Sequence, residues 1–421
     1  MSKGTRTGGR PAVGGVIAGR IALSIGMPDI AEPAGFKWTA LTDVARLESG
    51  HTPSRSHPEY WDGAIPWIGV RDATGNHGQV INETIQHVTQ AGIDNSSARI
   101  LPAGTVCLSR TASVGYVVTM GKPMATSQDF VNWVCGPELD RRYLHYLLML
   151  EQDSIRRFAY GSVHMTMYFP EAKALHVLLP SAGEQRAIAE VLGALDDKIA
   201  ANRRILEHAD ALVRSRYARV VALTDRVVPL SDVASNIRRQ VRPEDIEPDS
   251  TYVGMEHVPR RQMWIETTGI GSDATSAKAA FEVGDVLFGK LRPYFHKVAY
   301  APTAGVCSTD ILVVRAKDRA LRGLVLGACT ADETVAAAVA ASEGTRMPRA
   351  KWADIAVVPV PDPESTAVRE FSADVVECAE AMSAHVMENE RLAATRDALL
   401  PLLMSGKVRV KDVEREVEEL V

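Results

Sequence analysis

Apolar residues recur at alternating steps of three and four in two long stretches of this chain. The first runs through Ile188, Leu192, Leu195, Ile199, Asn202, Leu206, Ala209 and Val213. The second runs through Phe371, Val375, Cys378, Met382, Asn389, Leu392, Leu399 and Leu403, with His385 or Val386 filling the gap before Asn389. A sustained spacing of roughly 3.5 residues predicts a coiled-coil seam rather than a solitary surface helix. Ser181 with Glu184 three positions on has the form of a capping box, and Gly406 follows the last apolar position as a stop. The two stretches match in length and in place, so they are expected to pair with each other.

Elsewhere short apolar runs alternate with turn signals. They predict strands at residues 65–70, 105–108 and 116–118 and a helix over 143–158. The same grammar returns with strands at 251–254, 286–288 and 311–314 and an alanine-rich helix over 320–341. Whole segments return as well. Leu41-Thr42-Asp43-Val44-Ala45 matches Leu230-Ser231-Asp232-Val233-Ala234, and Leu101 to Val106 matches Phe281 to Val286. Val177-Leu178-Leu179-Pro180 matches Val358-Pro359-Val360-Pro361. The offset is roughly 180–190 residues, far beyond a solenoid period. The expected fold is mixed α/β (α+β), with two duplicated globular domains, each followed by a long helix, in a pseudo-two-fold arrangement. The expected divisions are an arm at 1–35, a domain at 36–180, a helix at 181–222, a domain at 223–365, a helix at 366–408 and an acidic tail at 409–421.

A chain of 421 residues has room for two cores. The net charge of −5 looks wrong for a nucleic-acid binder, but residues 366–421 alone carry −5, which leaves the two globular halves near neutral. The five cysteines are scattered without any CxxC pair, which points to a reducing, cytoplasmic setting. No apolar run has the length of a membrane span, and no membrane association is expected. Apolar residues 13–27 are interrupted by Arg20 and followed by no clean cleavage site, so neither a secretory signal nor a transit peptide is expected.

Catalytic signatures are missing. There is no GxxxxGK[ST], no GxSxG, no HExxH and no Pro-Pro pair for an adenine-methyltransferase loop. The expectation is a chain with no catalytic residue, no metal and no cofactor of its own, in a binding or scaffolding role.

Leu47-Glu48-Ser49-Gly50-His51-Thr52-Pro53-Ser54, followed by Ile65-Pro66-Trp67-Ile68, resembles the entry of a target-recognition domain in type I restriction-modification specificity subunits. Gly284 to Tyr294, continued by Cys307-Ser308-Thr309-Asp310, resembles the matching part of a second copy. Pro180 to Ile188 resembles the loop opening the central conserved helix, and Leu399 to Lys407 the family's C-terminal helix end. The resemblance spans residues 36–408; the N-terminal arm and the acidic tail lie outside it. It implies a non-catalytic subunit in which two target-recognition domains are held apart by two antiparallel helices, each domain reading one half of a bipartite site on double-stranded DNA. It also implies two methyltransferase subunits docked on the helical spacer, S-adenosylmethionine bound in those partners, and a motor-nuclease (restriction) subunit that can join them. The alternatives are the recognition part of a fused restriction-modification enzyme and a coiled-coil scaffold that touches no DNA.

Readout needs side chains that reach base edges and cations that hold phosphates. In the first domain the candidates are His51, Thr52, Ser54, Arg55, Arg71, Asn76, His77, Arg110, Thr111, Gln128 and His164. In the second they are Arg238, Arg239, Gln240, His257, Arg260, Arg261, Lys290, Arg292, Tyr294 and Arg346. His164 and His257 read as loop or groove residues rather than metal ligands, and Trp67 and Tyr252 as core. A helix over 184–221 would be about 57 Å long, enough to separate half-sites by more than a DNA turn of about 34 Å. Asn202 and Asn389 fall at the same point of the repeat. In an antiparallel pair they are expected to meet in the seam.

Overall fold

The computed structural model describes residues 15–161, 165–342 and 348–418. The chain is mixed α and β and divides into two units. One comprises residues 1–197 and 392–421, the other residues 198–391, so the division falls inside both long helices.

The first unit holds a five-stranded sheet. Its order is Ala45–Ser49, Phe130–Cys135, Val106–Ser109, Val117–Met120 and Gln79–Ile81, antiparallel except for the last pair. Val106–Ser109 and Val117–Met120 are buried at every position, as expected of runs covered on both faces. A smaller sheet sets Trp61–Ile68 between Ala125–Thr126, which runs parallel to it, and Gln86–Val88, which runs antiparallel. The helix expected over 143–158 is two helices, Arg141–Leu150 and Gln152–Phe158. Asp140 caps the first by accepting from the amides of Arg142 and Tyr143.

Glu151 stands at the break, and its buried carboxylate reaches another segment. It accepts from the backbone amides of Arg20 at 2.8 Å and of Ile21 and Ala22 at 2.6 Å. These bonds hold a segment the sequence offered only as an arm. Ile17–Ala18 and Leu23–Ile25 form a hairpin there, and Leu23–Ile25 pairs with Leu175–Pro180, the strand that leads into the first long helix. The other side of Leu175–Pro180 pairs with Phe36–Ala40. The end of the chain also gains structure: Val410–Glu418 is a helix that buries Val410, Val413 and Val417.

The second unit has a four-stranded antiparallel sheet in the order Ala234–Ile237, Ile311–Ala316, Val286–Gly289, Val298–Tyr300. Beside it lie Gln240–Val241, Lys278–Phe281, Gly305–Cys307, Thr251–Val253 and Gly269–Ile270, in which Thr251–Val253 runs parallel to Gly305–Cys307. The alanine-rich stretch forms Arg322–Thr330 and Asp332–Ala340, broken where Ala331 turns extended. Pro359–Pro361, the strand ahead of the second long helix, pairs on one side only, with Val227–Pro229. Its two prolines have no N–H to leave unpaired at that edge.

The long helices are Ala182–Leu223 and Thr366–Met404. In the first unit Ile188, Leu192 and Leu195 are buried, as are Leu392 and Leu403, and Arg396 Nη1 donates to Asp196 Oδ1 at 2.6 Å. Leu399 is only half buried; Leu400 and Met404 take the inward places as the helix passes Pro401. Gly406 closes the helix at φ +69 with Phe36 packed where a Cβ would stand, a left-handed stop only glycine supplies without strain. In the second unit Ile199, Leu206, Val375 and Met382 are buried, Cys378 is half buried, and the helices run antiparallel. Asn202 Nδ2 donates to Asn389 Oδ1 at 2.9 Å and to Glu388 Oε2 at 2.6 Å. Replacing Asn202 alone with leucine leaves the Asn389 amide buried without its partner, and should destabilise the chain by about 1–3 kcal/mol. Replacing both with leucine should recover that loss or more, because a buried amide pair favours register over stability. Denaturant unfolding of the two variants checks this. A double variant no more stable than the single one would sink the idea.

Candidate nucleic-acid interface

In the second unit, the turn joining Val286–Gly289 to Val298–Tyr300 carries half-buried Lys290 and exposed Arg292. Its backbone is clasped from two sides. Lys290 N donates to Asp310 O at 2.8 Å, and Lys290 O accepts from Ala350 N at 2.9 Å. Arg292 N donates to Pro348 O at 2.9 Å. Arg292 and His296 both adopt φ of 51°, a left-handed backbone that non-glycine residues hold only where surroundings enforce it.

Lys290 Nζ donates to Thr309 O at 2.6 Å and lines a cavity of about 520 Å³ with Arg238, Gln240, Asp310, Arg349 and Lys351. Burial, then the charges of Arg238 and Arg349, hold Lys290 below the ordinary lysine value, and Asp310 acts against them. Arg349 also pairs with Asp310 at 3.3 Å. On the turn's far side Arg260 lies 3.9 Å over the Phe295 ring, and exposed Tyr294 meets that ring edge-on. Arg239 and Gln240 are exposed on the neighbouring sheet edge. His257 and Arg261 are engaged internally: His257 Nδ1 accepts from Gly254 N at 2.9 Å, and Arg261 pairs with Asp332 at 3.3 Å. Tyr252 is half buried in its strand.

The first unit carries a turn of the same construction between Val106–Ser109 and Val117–Met120. Arg110 N donates to Asp129 O at 2.8 Å, Arg110 O accepts from Met167 N at 2.8 Å, and Ala112 N donates to Met165 O at 3.0 Å. Ala112 has φ of 61° where Arg292 has 51°. Arg110 Nε donates to Gln128 O at 3.0 Å, and Gln128 is bonded in turn to Thr52. His51 N donates to Thr126 O, and Thr111 bridges to Thr166. The structure thus gathers His51, Thr52, Arg110, Thr111 and Gln128 on one side. Arg55 lies 3.6 Å over the Trp61 ring and donates to Gln86 at 2.9 Å, while neighbouring Ser54 bonds Ser56. Trp67 is buried, its indole donating to His51 O.

Three candidates stand elsewhere. Arg71 is exposed on the short helix Val70–Gly75, and Asn76 closes that helix by donating to Asp72 O. His77 accepts from Val117 N at 3.0 Å, packs against Tyr116 and is held below the usual imidazole value by burial. The Asn76 amide nitrogen and both His77 ring nitrogens are therefore engaged within the protein. His164 and Arg346 lie outside the described residues. Sequence reasoning missed Arg349 and Lys351. Their signal was an i, i+2 cation pair in an extended segment, which puts both on one face.

A model of the type I restriction modification DNA specificity domain matches residues 33–210. The match covers less than half of the chain. The matched stretch includes the Arg110 turn and the first part of the first long helix. The chain is 31% identical over 169 residues to the type I restriction enzyme MjaIX specificity subunit of Methanocaldococcus jannaschii, which is 40% of this chain and 39% of that protein. It is 31% identical over 127 residues to the HindI specificity subunit of Haemophilus influenzae, 30% of this chain and 27% of that protein. The matched stretches thus span about two-fifths or less of these relatives. In fold the chain is similar to a type I restriction-modification S subunit from M. genitalium, with a TM-score of 0.57 at 15% identity, covering 89% of this chain and 98% of that one. The Lys290 turn lies beyond the family match, yet repeats the backbone pattern of the Arg110 turn bond for bond. Among the described residues no single helix is long and apolar enough to cross a membrane.

Proposed function

We propose that this chain is the DNA sequence-specificity subunit of a type I restriction-modification complex, non-catalytic and cytoplasmic. Each of two duplicated target-recognition domains, at residues 36–180 and 223–365, reads one half of a bipartite site. The helices at 181–222 and 366–408 form an antiparallel coiled-coil spacer that docks two methyltransferase subunits and sets the half-site spacing. S-adenosylmethionine belongs to those partners, as cleavage does to a restriction subunit.

The observation that carries this reading is the pair of clasped cationic turns. Arg110 and Lys290 stand 180 positions apart in the numbering and make the same two backbone bonds, one to a strand end and one to a crossing segment. Matching sheet orders support the duplication, with the parallel pair Ala125–Thr126 and Trp61–Ile68 answering Gly305–Cys307 and Thr251–Val253. The Asn202–Asn389 bond supports the pairing of the helices. Lys and Arg held on such turns suit phosphate, while neighbouring Gln, Thr and Arg side chains suit base edges.

Exchanging residues 36–180 for the corresponding domain of a relative is expected to change one half of the methylated motif and leave the other intact. Mapping methyl-adenine across the genome of cells carrying each version measures this. If both halves changed together, the modular reading would be wrong.

A further inference from the structure

The turn that carries Lys290, Arg292 and Tyr294 is fastened to the first long helix through groups that do not face the proposed DNA surface. His296 closes the turn and is buried. Its Nε2 lies 3.0 Å from Thr330 O, and since a carbonyl only accepts, Nε2 carries the proton. Arg214, on the long helix, donates Nη1 to the same oxygen at 2.5 Å and Nε to Asp210 Oδ2 at 2.8 Å. Asp210 Oδ1 accepts from Met263 N at 2.8 Å. One turn earlier Trp264 Nε1 donates to Leu206 O at 2.9 Å, and Arg203 Nε donates to Glu266 at 2.9 Å. Positions 203, 206, 210 and 214 follow steps of three and four, so they form one stripe of the helix. Thr330 ends Arg322–Thr330, and its carbonyl lies at that helix's negative pole, where a guanidinium is favoured. Asp332 flanks the cluster, 3.4 Å from His296 Nδ1. Burial and the Arg214 charge keep His296 below its ordinary value, so near neutral pH it is uncharged and keeps this single donor.

We propose that Arg214 is a positioning residue for the second half-site. It fixes the His296 turn, and with it Lys290, Arg292 and Tyr294, at one setting on the spacer helix. The inference rests on the chain's being a DNA-specificity subunit. Phosphate attraction tolerates a shifted turn, because it falls off slowly with distance. Hydrogen bonds to base edges do not, because they need placement within about 0.5 Å. A loosened turn therefore keeps its electrostatic affinity and loses discrimination.

The test uses the full chain assembled with a type I methyltransferase subunit and duplexes carrying the site defined by methylation mapping. Single-base changes are placed in either half. Arg214→Met keeps length and bulk without the fork. It should lower discrimination at the second half-site about tenfold or more, the scale set by one bidentate bond to a base edge. Discrimination at the first half-site and the salt slope should not move. Hydrogen exchange at residues 290–297 should quicken in Arg214→Met. In Arg214→Lys, which cannot hold Asp210 and Thr330 together, it should be intermediate. Unchanged exchange overturns the proposal, as do unchanged discrimination, equal losses at both half-sites, or a salt slope flattened as it is when a cation leaves its phosphate. A wild-type complex without sequence-specific binding would overturn the proposed function and this inference with it. Intact wild-type discrimination alongside an unaffected Arg214→Met overturns this inference alone.

Discussion

Replacing Glu151 with alanine should detach the amino-terminal hairpin from the first unit. One carboxylate accepts three backbone amides there, and Ser154 Oγ is a further acceptor for Arg20 N. Hydrogen bonds to a charged group contribute about 1.5–3 kcal/mol each, and donors left buried are costlier still. The summed loss, on the order of 4 kcal/mol or more, exceeds what a three-residue strand can hold on its own. The hairpin should therefore open to water rather than drag the unit down with it. Amide exchange should rise sharply at residues 17–25 while the sheet around Phe130–Cys135 stays protected. Opening strips one edge of Leu175–Pro180, which lacks the paired prolines that guard Pro359–Pro361, so the variant should also self-associate more readily. Retained protection at residues 17–25, by hydrogen exchange with mass spectrometry, would refute this account. Glu151→Gln should fall between, since its amide keeps one accepting oxygen and turns a donor toward the other amides.

The same clamp explains why the hairpin was not legible in the sequence. Its strands are two and three residues long, too short for a period of two to register, and their anchor lies about 130 positions downstream. The long helices were legible because their periodicity is local and repeated, and the offset between them was enough to bring Asn202 to Asn389. Strands such as Val286–Gly289 were legible as apolar runs. The crossing segments that clasp the two turns were not. Thr166 and Arg349 each meet the turn through a single bridge, which leaves no pattern along the chain. The candidate site divides the same way. Lys290, Arg292 and Arg110 could be named from charge and repeat position. That His77 and Asn76 are used by the backbone, or that His296 is a buried anchor, depends on partners distant in sequence.

Replacing Lys290 and Arg292 with alanine should weaken DNA binding by the assembled complex and flatten its salt dependence. Every phosphate left without its cation lowers the log–log slope by about 0.9, so the pair should remove about 1.8, and Arg110→Ala about 0.9. Lys290 should also give the wild type a pH signature. Its ammonium is held below the ordinary lysine value by burial and by Arg238 and Arg349, so it loses its proton before an unperturbed lysine does as pH rises. The contribution of Lys290 is therefore present at neutral pH and lost on the alkaline side. As pH rises toward the ordinary lysine range, the wild-type slope should fall toward that of Lys290→Ala. Lys290→Arg, whose guanidinium stays charged, should hold its slope over the same range. Binding titrations from low to moderate salt at two pH values measure all three quantities. A slope that Lys290→Ala and Arg292→Ala leave unmoved would place the phosphate contacts elsewhere. A wild-type slope independent of pH would mean that bound phosphate restores the proton Lys290 is poised to lose.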